Sequence, residues 1–181
     1  MGSVVKAEAD VNASIETLYE EHPESDSKDS LRAWLYLLKC AKRMEQEMSD
    51  RFREEFNSSL SRFDVLAHLD MAGERGLSTS QLAGRLLASK GNITRLLDRM
   101  VQDGLILRRP DDSDRRISNV SLSQKGAALF NRMAPAHETW SHEILGALAS
   151  EEKLDLVDLL RRLRDELGHP NGNSRRPARE S

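Results

Sequence analysis

Apolar residues recur every three or four positions along most of the chain, which is the spacing of amphipathic helices. The pattern predicts a long helix from Asp29 or Ser30 to about Asn57, followed by a shorter helix. Ser61 and Asp64 have the spacing of a capping pair at the start of this shorter helix. The long helix has more apolar surface than a small domain can cover, so we expect part of it to face another helix or another subunit.

The centre of the chain combines two short helical patterns with two strand-like runs. Apolar spacing predicts helices at 80–87 and 91–102, and Gly104 suits the left-handed residue that often ends a helix. Apolar runs at 105–109 and 117–122 flank a turn rich in Pro and Asp, which is typical of a β-hairpin. This order indicates a helix-turn-helix followed by a hairpin wing.

Two more helices are predicted after the hairpin, one from Ser123 and one from Ser150. Pro135 should kink or split the first of them near Arg132, because proline lacks the amide hydrogen that a helix interior needs. The last helix has more apolar surface than one thin domain can cover, which predicts a dimer interface. The predicted interface residues are Leu156, Leu159, Leu160, Leu163 and Leu167.

The composition favours a helical protein that works in the cytoplasm. Charged residues make up 31% of the 181 residues and aromatic residues only 4%. The single cysteine, Cys40, excludes an internal disulfide, which points to a reducing compartment. The chain has no signal-peptide pattern and no apolar run near the ~20 residues that span a bilayer, so no membrane partner is expected. It has no glycine-rich phosphate loop, serine elbow or His-x-x-x-His pair, so we expect neither an enzyme nor a bound cofactor or metal.

Charge is distributed unevenly along the chain, although the net charge is only −3. Residues 1–30 contain two Lys and eight Asp or Glu, a net charge of −6. Residues 78–126 contain nine Lys or Arg and five Asp, a net charge of +4. The central segment is therefore the part of the chain that suits a polyanionic partner such as DNA.

The predicted helix at 91–102 has one apolar and one polar side. Opposite Ile93 and Leu97 lies a short polar face that is basic toward its start. This face contains Gly91, Arg95, Asp98 and Gln102, flanked by Asn92, Thr94 and Arg99. The major groove of DNA admits one helix, and Arg, Asn, Gln and Thr side chains read its base edges. The alternative interpretation is an ordinary solvated helix face.

The predicted turn of the hairpin concentrates charge of both signs. Its charged residues are Arg108, Arg109, Asp111, Asp112, Asp114, Arg115 and Arg116. A basic hairpin tip suits the minor groove, whose negative potential attracts arginine. Asp114 can orient one arginine by pairing with Arg116 or Arg108, so that another projects toward DNA. The alternative interpretation is a salt-bridged surface turn.

The run DDSDRRISNVSLSQKG resembles the wing signature of the MarR family of winged-helix regulators. The signature residues fall on Asp111, Asp114, Arg115, Arg116, Leu122, Ser123 and Gly126. The preceding run LSTSQLAGRLLASKGNITRLLDRMVQDGLI is similar to the helix-turn-helix of the family, and the resemblance extends over about 31–167. It implies a mainly α-helical fold with a small β-hairpin wing. In this fold the N- and C-terminal helices form an intertwined dimerisation region beside a winged helix-turn-helix.

The resemblance also implies a function. Family members usually repress transcription as homodimers, and a small anionic or phenolic ligand often releases them from the operator. The dimer symmetry predicts a pseudo-palindromic operator with half-sites about one helical turn apart. Carried over by position, the recognition helix is Lys90–Gln102 and the wing is Arg108–Arg116. The candidate DNA-binding residues are Ser78, Thr79, Ser80, Ser89, Lys90, Gly91, Asn92, Thr94, Arg95, Asp98, Arg99, Arg108, Asp114, Arg115 and Arg116.

We therefore expect five segments along the chain. They are an acidic, mostly disordered arm at 1–28, a dimerisation helix at 29–61, the winged helix-turn-helix at 62–122, C-terminal dimerisation helices at 123–169 and a disordered tail at 170–181. The expected partners are double-stranded operator DNA, a second copy of the chain and a small-molecule effector.

The first predicted helix bears a second resemblance. The stretch LRAWLYLLKCAKRMEQEMSDRFREEFNSSLSRFDVLAHLD is similar to a branch of the family that senses aromatic carboxylates or their coenzyme A thioesters. The shared features are Trp34, Arg51, Arg53, the spacing of Phe56 to Phe63, and Arg62-Phe63-Asp64. The candidate ligand-binding residues, expected in a crevice between the dimer helices and the winged helix, are Arg32, Trp34, Leu38, Arg43, Arg62, Phe63 and Leu66. Alternatively, Trp34 and Phe63 are plain core residues.

Other signals leave alternatives open. Cys40 has Lys39, Lys42 and Arg43 nearby, which favours a reactive, redox-sensing thiol, with an inert thiol as the alternative. His137-Glu138 and His142 are five residues apart, whereas ligands on one helix face are three or four apart, so metal sensing is disfavoured. A winged helix can also serve as a protein-docking module without specific DNA binding.

Overall fold

The structure, a computed structural model, describes residues 26–86, 90–110 and 118–168 of the chain. Its elements are α1 (Asp26–Phe56), α2 (Leu60–Ala72), a 3₁₀ turn (Gly73–Arg75), β1 (Leu77–Ser78), α3 (Thr79–Arg85), α4 (Lys90–Gln102), β2 (Ile106–Pro110), β3 (Ser118–Leu122), α5 (Gln124–Ile144) and α6 (Ser150–Gly168). Long helices and one small antiparallel sheet confirm the predicted fold class. The predicted arm up to residue 25 and the predicted tail at 170–181 lie outside the described residues.

The chain divides between Met133 and Ala134, within α5, into two compact units. The first unit contains α1 to α4, the sheet and the start of α5. The second contains the rest of α5 and all of α6.

An aromatic stack forms the centre of the first unit. The ring of Phe63 in α2 lies 4.9 Å from that of Phe52 in α1 and 5.8 Å from that of Phe130 in α5, measured between centroids. The completely buried side chains of this unit include Phe52, Val65, Leu66, Leu69, Leu82, Leu97, Met100, Ile106, Val120 and Met133. Burial of these side chains fixes the helix-turn-helix and the sheet on one common core.

The sheet has three strands in the order β1-β3-β2, and both pairings are antiparallel. The hairpin of β2 and β3 was predicted, whereas β1 was not, because two residues are too few to show an alternating pattern. Leu77 of β1 and Arg108 of β2 both pair with Val120 of β3. Gly76 has a φ of +64°, and a Cβ there would lie 2.2 Å from the Val120 carbonyl oxygen. Only glycine therefore lets β1 approach β3 this closely.

Two predicted helix boundaries were wrong. α1 begins at Asp26, not at Asp29 or Ser30, because polar residues are tolerated in a first helical turn and the apolar pattern does not mark its start. α2 begins at Leu60 and is capped by Ser59, whose hydroxyl accepts a hydrogen bond from Arg62 N at 3.3 Å. The predicted cap Ser61 is instead inside the helix.

The helix with Pro135 was predicted to kink or split near Arg132, and it does not split. α5 runs without interruption from Gln124 to Ile144. Proline removes one backbone hydrogen bond, but the turns on either side bury Met133 and Trp140. Burial of these two side chains offsets the loss of the backbone hydrogen bond that Pro135 cannot make.

Candidate nucleic-acid interface

The first helix of the helix-turn-helix begins at a capping box. Ser78 Oγ accepts a hydrogen bond from Gln81 N at 3.2 Å, and Gln81 Oε1 accepts one from Ser78 N at 2.8 Å. This reciprocal pair satisfies two amides that a helix start leaves without partners. The Ser78 side chain is thus held against α3, while Thr79 is half-buried and Ser80 is exposed. Among these three candidates, Ser80 is the most accessible to a phosphate.

Helices α3 and α4 pack through apolar faces. Leu82 and Ala83 of α3 are buried, and so are Ile93, Leu97 and Met100 of α4. The opposite side of α4 is open to solvent. Its exposed residues are Gly91, Asn92, Thr94, Arg95, Arg99 and Gln102. α4 thus has the bounds of the predicted recognition helix and the polar outer face that its sequence predicts.

Two side chains near the start of α4 are joined to each other. Arg95 Nη2 donates a hydrogen bond to Asn92 Oδ1 at 3.1 Å, across one helical turn. The contact reduces the number of rotamers open to both side chains, so part of the entropy cost of ordering them at a partner surface is already met.

Asp98, one turn further along α4, is joined to the wing. Arg108 Nη2, on β2, donates to Asp98 Oδ1 at 2.9 Å. The sequence predicts Asp114 as a possible partner of Arg108, whereas the long-range pair with Asp98 was not predicted. No sequence signal identifies it, because it depends on how β2 lies against α4.

Several contacts hold the end of α4. Gly104 has the predicted left-handed conformation, with a φ of +71°. Ser123 Oγ lies 2.7 Å from the Gly104 carbonyl oxygen, and Lys125 Nζ donates to the Asp103 carbonyl oxygen at 2.7 Å. The Asp103 side chain also pairs with Arg62 of α2. The last turn of α4 is therefore tied to both α2 and α5.

Gly126 explains one part of the wing signature. A Cβ at this position would lie 2.0 Å from the Leu105 carbonyl oxygen. The Gly126 amide donates to Ser123 Oγ at 2.9 Å, as a helix-capping contact does. Ser123 and Gly126 thus serve the close approach of α5 to the end of α4, a structural role.

Part of the predicted wing lies outside the described residues. This part contains Asp111, Asp112, Asp114, Arg115 and Arg116, and Ser89 of the predicted turn is likewise outside. The strands that lead to the wing tip are described, and Arg108 and Arg109 on β2 are both exposed. The predicted pairing of Asp114 is thus a hypothesis that the described structure does not address.

The candidate ligand-binding residues fall into two separate groups within one chain. Phe63 and Leu66 are core residues with 7% and 0% exposure, whereas Trp34 is 57% exposed. Phe63 stacks on Phe52, and Trp34 precedes Phe52 by 18 residues of the same helix. At 1.5 Å per residue this is about 27 Å along α1. Trp34 and Phe63 therefore cannot line one small-molecule pocket within a single chain.

The charged candidates for ligand binding are either paired with a carboxylate of the same chain or exposed to solvent. Arg32 lies 3.7 Å from Asp29 on the surface of α1, and Arg43 is exposed on the same helix. Arg62 is paired with Asp103. Leu38 is exposed on α1, as is the Cys40 thiol.

In the second unit, the predicted interface residues are open to solvent. Their exposed fractions are 36% for Leu156, 59% for Leu159, 39% for Leu160, 45% for Leu163 and 77% for Leu167. Within residues 26–86, 90–110 and 118–168, no cluster of His, Cys, Asp or Glu has the arrangement of a metal site. In the same part of the chain, no helix is long and apolar enough to cross a membrane.

A helix-turn-helix with an exposed polar second helix, followed by a β-hairpin, defines a winged-helix DNA-binding protein. The sequence model of the MarR family matches residues 59–118. The chain is 34% identical over 119 residues to the HTH-type transcriptional regulator PecS of Dickeya dadantii, covering 65% of this chain and 72% of PecS. It is 30% identical over 143 residues to the HTH-type transcriptional repressor YetL of Bacillus subtilis, covering 77% of this chain and 85% of YetL. The chain belongs to the MarR family and is a DNA-binding transcriptional regulator, not an enzyme.

Solved structures have the same fold. The S. aureus MepR–DNA complex superposes with a TM-score of 0.67 at 21% identity, covering 74% of this chain and 97% of that one. A mutant of E. coli MarR complexed with operator DNA gives a TM-score of 0.68 at 20% identity, covering 77% of this chain and 99% of the MarR chain. Both of these proteins were crystallised on DNA.

Proposed function

We propose that this regulator is a repressor that binds a pseudo-palindromic operator as a homodimer and is released by a small aromatic carboxylate or an aromatic acyl-coenzyme A. The observation that carries the proposal is the exposed polar face of α4, fixed on the core by Ile93, Leu97 and Met100. In each subunit α4 enters the major groove, and the wing at 108–116 reaches the adjacent minor groove.

The exposed face of α4 suggests a division of roles. Arg95, Asn92 and Thr94 face the base edges, because they occupy the outer side of the first turns of α4. Ser80, Ser89 and the start of α4 face the phosphate backbone, which the positive end of a helix favours. Arg115 or Arg116 enters the minor groove, and Asp114 orients the arginine side chains of the wing.

A homodimer accounts for the exposed leucines of α6. All five predicted interface leucines lie within one side of α6, and water exposure of such a continuous apolar stripe is unfavourable. We assign the segments at 29–61 and 123–169 to dimerisation and the segment at 62–122 to DNA binding. The dimer fixes the distance between the two α4 helices and therefore the spacing of the half-sites.

The effector site then takes residues from both subunits. The distance of about 27 Å between Trp34 and the Phe52–Phe63 stack rules out a pocket within one chain, but not a pocket between α1 of one subunit and α2 of the other. The solved structure of Bordetella bronchiseptica BpsR, which has the same fold at 22% identity and a TM-score of 0.68, concerns regulation of DNA binding by 6-hydroxynicotinic acid. This aromatic carboxylate belongs to the class of ligand that the proposal names.

The test is binding of the full chain to labelled DNA from upstream of its own gene, compared with shuffled DNA of the same length, at several salt concentrations. Specific binding with a steep salt dependence supports the regulator. Loss of binding when 6-hydroxynicotinic acid or an aromatic acyl-coenzyme A is added supports the effector class. No binding to either DNA would instead favour a protein-docking module.

Redox control through Cys40 is a second candidate, favoured by the exposure of this thiol on α1. Peroxide treatment should then weaken operator binding of the wild type and leave a Cys40→Ser variant unchanged. An equal response of both proteins, or no response of either, eliminates this candidate.

A further inference from the structure

The ion pair between Asp98 and Arg108 joins the recognition helix to the wing. We infer that Arg108 is a positioning residue and not a DNA contact: it holds β2 against α4 and neutralises the single carboxylate of α4. This inference rests on the proposed function, because it requires α4 to face DNA. It assigns to Arg108 a role different from that of the other wing arginines.

The position of Asp98 makes neutralisation necessary. Asp98 is three residues after Arg95 and seven after Gly91, so it lies on the same side of α4 as both. It is the only acidic residue in the sequence of α4. A free carboxylate on a helix in the major groove is repelled by the phosphates of both strands. The guanidinium of Arg108, whose Nη2 lies 2.9 Å from Asp98 Oδ1, offsets this repulsion.

The strand geometry directs Arg108 toward α4. Successive side chains of a strand point to opposite faces, so Arg108 is on the same face of β2 as the buried Ile106. This is the face of β2 that packs against α4. Arg109 is on the other face, where it lines a surface groove together with Asp70 and Glu74. The two neighbouring arginines therefore have different surroundings and are not equivalent.

The solvent exposure of the Asp98–Arg108 ion pair indicates that the pair affects DNA binding more than folding stability. The side chains of Arg108 and Asp98 remain 37% and 47% exposed. Ion pairs this accessible to water contribute little to the free energy of folding. The pair should therefore affect how well α4 and the wing match the operator much more than it affects the stability of the chain.

Three variants distinguish positioning from direct contact: Arg108→Gln, Asp98→Asn and the double variant. The probes are the operator and shuffled DNA, with dissociation constants measured at several salt concentrations. A direct phosphate contact predicts that Arg108→Gln reduces the slope of log K against log salt by about 1.8 for the dimer, about 0.9 for each subunit. Positioning predicts an unchanged slope and a loss of operator affinity of about tenfold, since an unpaired carboxylate then faces DNA.

The other two variants are expected to change DNA affinity in the opposite direction from Arg108→Gln. Asp98→Asn leaves Arg108 unpaired, so binding to shuffled DNA should strengthen and the ratio of operator to shuffled affinity should fall. In the double variant the two amides can still form a hydrogen bond, so operator affinity should recover most of the loss of Arg108→Gln. Recovery of this kind is the non-additivity that two coupled residues produce.

A matched control removes an ion pair outside the winged helix. Asp158→Asn with Arg161→Gln neutralises a surface pair of α6, with an N–O distance of 3.3 Å, and should leave the affinity ratio unchanged. Circular dichroism melting curves check that every variant is folded. If the wild type binds the operator specifically but the effects of the two single changes simply add, positioning by Arg108 is refuted and the proposed function stands. If the wild type shows no specific binding, the proposed function and this inference are both refuted.

Discussion

Arg62 at the start of α2 pairs with Asp103 at the end of α4, across 41 residues of the chain. Arg62 is also a candidate for binding the carboxylate of an effector. A carboxylate that binds this guanidinium would compete with Asp103 for its N–H groups, and Asp103 belongs to the turn that ends the recognition helix. The pair thus connects the predicted effector site with the DNA-binding surface.

This connection predicts the behaviour of Asp103→Asn. The change frees the Arg62 guanidinium, so the affinity for 6-hydroxynicotinic acid should rise, by about tenfold if one charge-assisted bond was in competition. The end of α4 loses a tie to α2, so operator affinity should fall. Isothermal titration calorimetry measures the first effect and fluorescence anisotropy of labelled operator the second.

Arg62→Gln serves as the contrasting variant. It breaks the same pair but leaves no guanidinium for the effector, so operator affinity should fall without any gain in effector affinity. If both variants bind the acid as the wild type does, Arg62 has no part in the effector site.

A change at the centre of the polar face of α4 should affect sequence recognition. Arg95→Ala removes an exposed guanidinium that is already oriented by Asn92, and operator affinity should fall by about 1–3 kcal/mol with relaxed specificity at one base pair. The measurement is competition of single-base operator variants against the native operator. Arg75→Ala, which removes an exposed arginine outside the candidate set, is the control. Equal losses on all DNA sequences would show that Arg95 contacts phosphate and does not read bases.

Local patterns in the sequence were sufficient to predict the helices and the hairpin of the winged helix. The spacing of Ile93, Leu97 and Met100 fixes which side of α4 is buried, and Gly104 marks where the helix ends, as the structure confirms. These features depend on residues within a few positions of one another. The start of α2 was placed two residues too late, because Ser59 and Ser61 are equally good caps and only the backbone conformation selects Ser59.

Contacts between distant residues could not be predicted in this way. The pairs Arg62–Asp103 and Asp98–Arg108 form only when α2, α4 and β2 are packed together. The family resemblance placed Trp34 and Phe63 in one crevice between the dimer helices and the winged helix, and the rise of α1 keeps the two residues about 27 Å apart within one chain. The geometry of the site therefore depends on tertiary packing, whereas its residue types can be read from the sequence.

The leucine stripe of α6 predicts a dependence of DNA binding on dimer formation. Leu160→Asp or Leu163→Asp places a charge in the proposed interface, where an unpaired charge is strongly unfavourable, so the chain should become monomeric and lose tight operator binding. Analytical ultracentrifugation measures the mass and anisotropy the affinity.

Leu154→Asp is a matched control on the same helix. Leu154 is six residues before Leu160 and is 66% exposed, and at 100° per residue it lies on the opposite side of α6 from the stripe. This variant should remain dimeric and bind the operator normally. A monomeric Leu160→Asp variant with full operator affinity would contradict the proposed dimer.

The close approach of α5 to the end of α4 gives a prediction for stability. Gly126→Ala forces a methyl group to within 2.0 Å of the Leu105 carbonyl oxygen, so the backbone must shift, at a cost of about 1–3 kcal/mol in the free energy of unfolding. Gly84→Ala is the matched control, because a Cβ at Gly84 in α3 meets nothing within 4 Å. This second change should raise stability by about 0.5–1 kcal/mol, since alanine is the better helix former. Urea denaturation followed by circular dichroism measures both. A Gly126→Ala variant as stable as the wild type would mean that α5 can move away from Leu105 without loss, and that the glycine of the wing signature has another role.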